Sequence, residues 1–173
     1  MKRLLLFFII VAPIVALLAF GLTRNPNTLP STMIEKEAPT FNLPTLEGKR
    51  ASLESFEGSP LVINFWASWC GPCLYEHYIL NAAKKMYAGT PVRFVGVVFE
   101  DSKENAEEYL KGYVNPFDIV LLDDAGHMSI DYGVRGVPET FFVDPEGRIL
   151  DKFTGALDIE YIRQKLDPML EEK

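Results

Sequence analysis

The sequence predicts an α/β fold in which helices pack against a mixed β-sheet. Apolar runs of strand length alternate with longer segments whose apolar residues recur at helical spacing. Near the end, two more strand-like runs are joined by a turn-forming segment, and a last helix-like segment follows them. Alternating strands and helices, followed by a hairpin and a terminal helix, are typical of an α/β sandwich with a mixed sheet.

The first 23 residues predict a membrane anchor. Lys2 and Arg3 precede an uncharged run from Leu4 to Leu22, and its 19 residues are about enough to span a bilayer. Positive charges tend to stay in the cytoplasm, so the rest of the chain should lie on the opposite side of the membrane. A cleaved signal peptide is the alternative, but this run is longer than the apolar core of such peptides.

We therefore expect three parts in the chain. Residues 1–23 would hold a cytoplasmic start and a transmembrane anchor, or an uncleaved signal. Residues 24–37 contain Asn, Pro, Thr and Ser with little periodicity, as in a linker. Residues 38–173 would form the folded domain outside the cytoplasm.

The charge balance argues against one class of function. The chain has 17 Lys and Arg residues and 24 Asp and Glu residues, which gives a net charge of −7. It has no stripe of basic residues, so nucleic-acid binding has no electrostatic support.

The first half of the domain predicts a strand-rich start and one long helix. In order, we predict an extended edge segment at 38–44, a short strand at 51–53, a buried strand at 61–66, a helix from Cys73 to about Tyr87 and a buried strand at 92–99. Prolines keep the edge segment out of central pairing. The nearly continuous apolar runs indicate strands that are covered on both faces.

The second half predicts a short helix, a hairpin and a terminal helix. We predict a helix capped by Ser102, a strand at 117–122, one helical turn at 130–134, strands at 139–143 and 149–153, and a last helix capped by Asp158. The segment 144–147 has strong turn chemistry and would join the two hairpin strands. Pro168 should kink the last helix or end it early.

Cys70 and Cys73 are the only cysteines, and they lie at the junction of the strand at 61–66 with the helix that follows. A C-x-x-C pair at such a junction is a redox signature. The first thiol would lie at the helix N-terminus, where unpaired N–H groups and the helix dipole stabilise a thiolate. The second would lie one turn further along the same face, within reach of a disulfide. We predict that Cys70 is the exposed attacking thiol and Cys73 the resolving thiol.

Two other roles for the cysteines fit the pattern less well. A structural zinc site needs four ligands, and His77 and His127 do not complete a set with finger-like spacing. A purely structural disulfide would close a very short loop, and the stabilisation from a disulfide grows with loop length.

The order of elements, with segment 65–73 and Gly136-Val137-Pro138-Glu139-Thr140, resembles the thioredoxin superfamily over about residues 38–170. Further features narrow the resemblance: the N-terminal anchor, the Ala38-Pro39-x-Phe41-x-Leu43 opening, an insert at about 101–122, and the segments 75–77, 115–117 and 132–141. Together they are similar to the membrane-anchored oxidoreductases of cytochrome c maturation, the DsbE/CcmG type. The Gly71-Pro72 dipeptide departs from that type, because it is typical of general thioredoxins.

The resemblance implies a thioredoxin-like three-layer sandwich with a mixed central sheet, an N-terminal extension and a central insert. It implies a protein-disulfide reductase that keeps thiols of apocytochrome c, or of its haem-ligation partners, reduced. The protein would be single-pass in the inner membrane with its C-terminal domain in the periplasm. A membrane electron donor would re-reduce it, and no cofactor or metal is implied.

The resemblance also assigns the substrate-binding surface. The superfamily proline that matches Pro138 is cis and lies beside the exposed thiol, which would let the backbone of Val137 pair with an extended substrate. Without the resemblance, Pro138 would be an ordinary loop proline. Trp69 would belong to the flat contact surface around Cys70, whereas Trp66 would lie in the core.

Two glutamates are candidates for acid chemistry. General thioredoxins carry a buried Asp where this chain has Asn64, and an amide cannot titrate. Glu76 lies three residues after Cys73 on the same helix face, so it is our candidate for proton transfer to that thiol. Glu139 would add acidity to the same groove. The alternative for each glutamate is a solvated surface carboxylate.

Three further functions remain open at this point. A general extracytoplasmic disulfide reductase would use the same residues. A thiol peroxidase shares the Ala-Pro-x-Phe opening, but such enzymes place a Thr where this chain has Ala67. A chaperone-like binding module would use the edge at Val137 and Pro138. We predict that His77 and His127 are structural or surface residues, and that segment 123–126 is a turn and not a metal loop.

Overall fold

A computed structural model of the chain describes residues 11–15, 17 and 33–171. The chain forms two compact units, Met1–Pro30 and Ser31–Lys173. Residues 11–15 and 17 are helical, and the rest of the predicted anchor and most of the predicted linker lie outside the described residues. Within the ranges given, no helix combines the length and the apolar character needed to cross a membrane.

The second unit contains a five-stranded mixed sheet and a separate two-stranded sheet. The strands are β1 (Asn42–Pro44), β2 (Arg50–Ser52), β3 (Leu61–Trp66), β4 (Arg93–Val98), β5 (Ile119–Leu122), β6 (Glu139–Val143) and β7 (Ile149–Thr154). The large sheet has the order β5-β4-β3-β6-β7, and β1 pairs with β2 alone. Strand β3 is parallel to β4 and antiparallel to β6. The predicted α/β fold with a mixed sheet is therefore confirmed.

Helices cover both faces of the large sheet. They are α1 (Gly71–Met86), α2 (Lys103–Gly112), α3 (His127–Asp131) and α4 (Ile159–Glu171). One apolar cluster lies between the sheet and α1, α2 and α4, and it contains both cysteines. A second cluster on the opposite face contains residues of α3 and of the small sheet. All six residues of β3 are buried, because this central strand is covered from both sides.

Three helices differ from their predicted bounds, and the first, α1, begins at Gly71, two residues before its predicted start. Helix α3 begins at His127, three residues before the predicted turn, because the Asp123 carboxylate accepts hydrogen bonds from the N–H groups of Met128 and Ser129. Helix α4 does not end early at Pro168 but continues to Glu171. Pro168 lies in the last turn, so it removes only one helical hydrogen bond, and Met169 after it packs in the core.

The ordered domain begins before residue 38. Residues 35–37, predicted as the end of the linker, pair with the hairpin: Glu35 donates to the Ile149 carbonyl, and Ile149 donates to the Lys36 carbonyl. The insert predicted at about 101–122 forms α2 and β5, and β5 is an edge strand of the large sheet.

Candidate active site

Cys70 and Cys73 form a disulfide at the N-terminus of α1. The two Sγ atoms are 2.01 Å apart and the Cα atoms 5.4 Å apart. Cys70 is the N-cap residue of the helix, and its Sγ accepts a hydrogen bond of 3.2 Å from the Cys73 N–H. The strand β3 and the helix α1 thus place both sulfurs where the helix dipole favours a negative charge.

The prediction that Cys70 is an exposed thiol needs correction. Cys70 retains 4% of its accessible surface and Cys73 retains none. The reason is local: the Cys70 N–H bonds to the Ala67 carbonyl, and this tight turn at the end of a buried strand directs Cys70 into an apolar cluster with Trp66 and Leu157. Of the two sulfur-bearing residues, only Cys70 still reaches the surface.

Trp69 projects from the same turn into solvent. Its side chain is 59% exposed, and its Nε1 donates to the Glu100 carbonyl at 3.3 Å. The turn is also held by Asp101, whose carboxylate accepts a bond of 2.7 Å from the Ser68 N–H. Hydrogen bonds from Ser68 and Asn105 outweigh partial burial and lower the pKa of Asp101. A fixed negative charge therefore lies next to the turn that carries Cys70.

The peptide bond between Val137 and Pro138 is cis, as the resemblance implied. Val137 is half-buried and packs against the apolar cluster that contains both cysteines. Its backbone N–H and C=O make no backbone hydrogen bond within the part of the chain that the structure describes. Pro138, by contrast, accepts from Gly155 through its carbonyl. The free backbone of Val137 can therefore pair with an added strand.

Glu76 is fully buried behind the disulfide, one helical turn after Cys73. Its carboxylate accepts from three donors on three different elements. Asn64 of β3 donates to Oε2 at 2.9 Å, and Thr140 of β6 and the Leu157 N–H each donate to Oε1 at 3.3 Å. The alternative of a solvated surface carboxylate does not hold for Glu76.

Burial controls the acidity of Glu76. Removal from water raises its pKa from 4.5 to about 7, and the hydrogen bonds from Asn64, Leu157 and Thr140 oppose that rise. A carboxyl group that titrates near neutral pH can both take and release a proton under ordinary conditions. Because Cys73 lies on the same buried face of α1, Glu76 has the acidity that a proton acceptor for this thiol needs.

Glu139 is also buried, but it does not share the surroundings of Glu76. Side chains alternate along β6, so Thr140 faces Glu76 while Glu139 faces the opposite side of the sheet with Phe141. There the Lys152 ammonium lies 2.7 Å from Glu139 Oε2 and donates to the Gly133 carbonyl at 2.8 Å. Glu139 is therefore paired with a cation on the opposite face of the sheet from Glu76, and the two carboxylates do not share one groove.

His77 lies in an aromatic cluster on the inner side of α1. Its ring centroid is 4.9 Å from that of Trp66, 5.0 Å from that of Phe117 and 5.5 Å from that of Tyr109. Burial lowers the pKa of His77 to about 4, although a backbone interaction with Val114 opposes the change. His77 is thus a neutral core residue at pH 7, and Trp66 is fully buried as predicted. His127 begins α3 and is exposed.

Sequence reasoning missed two residues of this region. Thr140 bridges Asn64 and Glu76, since its Oγ1 accepts from Asn64 at 2.8 Å and donates to Glu76. Alternation along the predicted strand 139–143 was a partial signal, because it puts Thr140 on the opposite face from Glu139, but only the observed register pairs Thr140 with Asn64. Lys152 carried no signal, because nothing in the sequence shows that a lysine in an edge strand pairs with a buried carboxylate.

Comparisons with known protein sequences identify relatives of this chain. The sequence profile of the redoxin family matches residues 33–168. The thiol:disulfide interchange protein DsbE of Pseudomonas fluorescens biotype C is 37% identical over 147 residues, which cover 84% of this chain and 80% of the relative. The corresponding protein of Escherichia coli K12 is 34% identical over 179 residues, covering 99% of this chain and 95% of that one.

A solved structure also resembles this chain in fold and sequence. A crystal structure from Chlorobium tepidum, described as a thiol:disulfide interchange protein DsbE, superposes with a TM-score of 0.72 at 31% sequence identity. The match covers 78% of this chain and 95% of that one. The chain therefore belongs to the redoxin family, and it is a thiol:disulfide oxidoreductase of the DsbE type.

Proposed function

We propose that this protein reduces disulfide bonds in apocytochrome c, or in the proteins that join haem to it, during cytochrome c maturation. The observation that carries the proposal is the disulfide at the N-terminus of α1, backed by a buried carboxyl group whose pKa is about 7. The similarity to DsbE proteins over nearly the whole chain supports the assignment to this pathway.

In the first step, the reduced protein uses Cys70 as nucleophile. The helix N-terminus stabilises the Cys70 thiolate, and Cys70 is the cysteine that retains access to the surface. Its sulfur attacks one sulfur of the substrate disulfide. A mixed disulfide between Cys70 and the substrate forms, and the other substrate sulfur leaves as a thiolate that takes up a proton.

In the second step, Cys73 resolves the mixed disulfide. The Cys73 thiol passes its proton to the Glu76 carboxylate and attacks the Cys70 sulfur. The second substrate thiolate leaves and is protonated, and the Cys70–Cys73 bond forms again. Two electrons have moved from the protein to the substrate, so a separate donor must reduce the protein before the next cycle.

The surface around Cys70 would hold the substrate chain in an extended form. The backbone of Val137, next to the cis Pro138, is available for strand addition, and the exposed Trp69 ring would add to the contact surface. Glu139 would set the position of this segment through its ion pair with Lys152. Strand addition needs no particular side chains, which suits a reductase that acts on unfolded chains.

We also propose a location and partners. Residues 1–23 would anchor the protein in the inner membrane, the linker would run from residue 24 to the pairing that begins at Glu35, and the domain would face the periplasm. The charge of the N-terminal segment and its uncharged run support this orientation. A membrane protein that passes electrons outward would serve as the reductant.

The test uses the full chain and two cysteine variants. Each variant is incubated with an apocytochrome c peptide that contains a disulfide, and the products are separated without reductant. We expect Cys73→Ser to accumulate a mixed disulfide through Cys70, because the resolving thiol is missing. Cys70→Ser is the matched control and should trap nothing. If the two variants behave alike, or if variants that lack both cysteines still support cytochrome c maturation, the proposal fails.

A further inference from the structure

A shallow, open concavity lies beside the turn that carries the disulfide. It has a volume of about 200 Å³ and is lined by Ser68, Asn105, Glu108 and Tyr109. Ser68 comes two residues before Cys70, and the other three residues lie on α2. A polypeptide that binds at Cys70 can therefore also place a side chain here.

Two polar groups of this concavity have no partner. The Glu108 side chain is exposed and forms neither an ion pair nor a hydrogen bond with the residues that the structure describes. Tyr109 is 8% exposed, and its buried hydroxyl finds no hydrogen-bond partner in the same part of the chain. A buried hydroxyl without a partner costs free energy, so such groups are normally paired. A cationic ligand with hydrogen-bond donors would offer the Tyr109 hydroxyl a partner and pair with the exposed Glu108 carboxylate.

The polar groups lie next to exposed aromatic rings. The Tyr113 ring centroid is 5.0 Å from that of Tyr109, and Tyr113 is 48% exposed. Trp69 stands on the other side of Ser68, with most of its ring in solvent. Aromatic faces of this kind attract cations, and they attract a planar guanidinium most strongly.

The charges around the concavity are negative. Asp101 accepts hydrogen bonds from Ser68 and Asn105, which lower its pKa and keep it ionised. The lysines of α2, Lys103 and Lys111, both pair with Glu107 and not with Glu108. In the whole chain, all 24 acidic residues but only 14 of the 17 basic residues follow Arg24, so this portion carries a net charge of −10. An anionic ligand is disfavoured here.

We propose that the concavity between Ser68 and α2 binds a cationic side chain, preferably arginine, of the polypeptide whose disulfide is exchanged at Cys70. The guanidinium pairs with the Glu108 carboxylate, donates to the Tyr109 hydroxyl and lies against Tyr113. Burial and the neighbouring Tyr113 and Tyr78 raise the pKa of Tyr109 to about 12, so its phenol stays neutral and can accept a hydrogen bond. The inference rests on the proposed function, because it describes how that substrate is selected.

The test compares peptide disulfides that differ at one residue. The reduced full chain reacts in a single turnover with peptides that carry Arg, Gln or Glu near the disulfide, and the second-order rate constant is measured for each. We expect the Arg peptide to react about three- to tenfold faster than the Gln peptide, and the Glu peptide to be slowest. The preference should shrink as salt is added, because the charges are accessible to solvent.

Variants test which residues cause the faster reaction of the Arg peptide. Glu108→Gln should bring the Arg and Gln peptides to within about 1.5-fold of each other, because the carboxylate that pairs with the guanidinium is removed. Tyr109→Phe removes a hydroxyl that has no partner in the described structure, so it should fold normally and weaken the preference. Glu146→Gln is the matched control: it removes one charge in the turn after β6, at the opposite end of the sheet, and should keep the preference.

The outcomes separate this inference from the proposed function. Equal rates with Arg and Gln peptides would overturn the inference and leave the reductase activity in place. An equal loss of preference in Glu108→Gln and Glu146→Gln would also overturn it, because the effect would then come from overall charge. If no peptide disulfide reacts, both the inference and the proposed function fail.

Discussion

The side-chain amide of Asn64 donates a hydrogen bond of 2.9 Å to Glu76, which joins the central strand to the helix that carries the cysteines. Both residues are fully buried. A buried carboxyl group is costly when it is ionised, and hydrogen bonds recover only part of the lost hydration. The pKa of Glu76 is raised because the effect of burial exceeds that of the hydrogen bonds. The free energy of unfolding therefore depends on the protonation of this residue.

The first prediction concerns Glu76→Gln and the pH dependence of stability. Between pH 4.5 and about 7 the folded chain keeps a proton on Glu76 that the unfolded chain has released. The free energy of unfolding should therefore fall by about 3 kcal/mol as pH rises through this window, and the loss should be complete above it. Glu76→Gln cannot titrate, so this decrease should be absent. Urea unfolding of the oxidised protein at pH 5 and pH 8 measures the difference.

His77 also contributes to the pH dependence of stability, but its contribution is the same in wild type and Glu76→Gln. Its lowered pKa means that the unfolded chain binds more protons between pH 6.5 and about 4, so its contribution makes stability rise with pH. This term is present in both proteins and cancels in the comparison. If the free energy of unfolding changes with pH in the same way in wild type and Glu76→Gln, the raised pKa assigned to Glu76 is wrong.

The second prediction concerns the ion pair of Glu139 and Lys152. The Lys152 and Glu139 side chains are 11% and 3% exposed, so Lys152→Met leaves a buried carboxylate without its cation. We expect the free energy of unfolding to fall by about 3–5 kcal/mol. The double variant Glu139→Gln with Lys152→Met should recover much of this loss, because no charge is left unpaired. A double-mutant cycle by urea unfolding measures the coupling.

Lys103→Met is the control for that cycle. The Lys103 ammonium is 3.7 Å from Glu107 in an exposed pair, so its removal should cost less than about 1 kcal/mol. If Lys103→Met and Lys152→Met lower the free energy of unfolding equally, burial does not explain the energetic cost of breaking the Glu139–Lys152 pair.

The third prediction concerns the packing between β4 and β5. A Cβ atom on Gly96 would lie 2.6 Å from Cδ2 of Phe117, whose ring stacks on Trp66. We expect Gly96→Ala to lower the free energy of unfolding by about 1–3 kcal/mol, because the Phe117 ring must move in a close-packed core. Thermal unfolding followed by tryptophan fluorescence measures the loss.

Gly112→Ala is the matched control for the packing variant. Gly112 lies in α2 with open space around its Cα, so an added methyl group should be neutral or stabilise by up to about 1 kcal/mol. A Gly96→Ala protein as stable as wild type would mean that the Phe117 ring can shift freely.

Local patterns were sufficient for most of the elements. The apolar run of β3, interrupted only by Asn64, predicted its bounds, 61–66, without error, and the turn chemistry of 144–147 predicted the hairpin. Ser102 and Asp158 cap their helices through bonds to Asn105 and Tyr161, as their residue types predicted. These elements depend on interactions between residues that are close together along the chain, so the sequence pattern is enough to predict them.

The errors have a common physical cause. Helix α3 begins early because Asp123 reaches back over its first turn, and residues 35–37 are ordered because the distant hairpin offers hydrogen bonds. Pro168 fails to end α4 because the core holds the following turn. In each case a tertiary contact outweighs the local preference that guided the prediction.

The sequence by itself determined the redox pair, its place at a helix N-terminus and the α/β order of the elements. These follow from spacing and periodicity, which act over a few residues. Only the tertiary structure decided that Glu76 and Glu139 are both buried on opposite faces of one sheet, the first among hydrogen-bond donors and the second against a lysine. The acidity of a carboxyl group depends on water and charges within a few ångströms, and residues distant along the chain supply those surroundings.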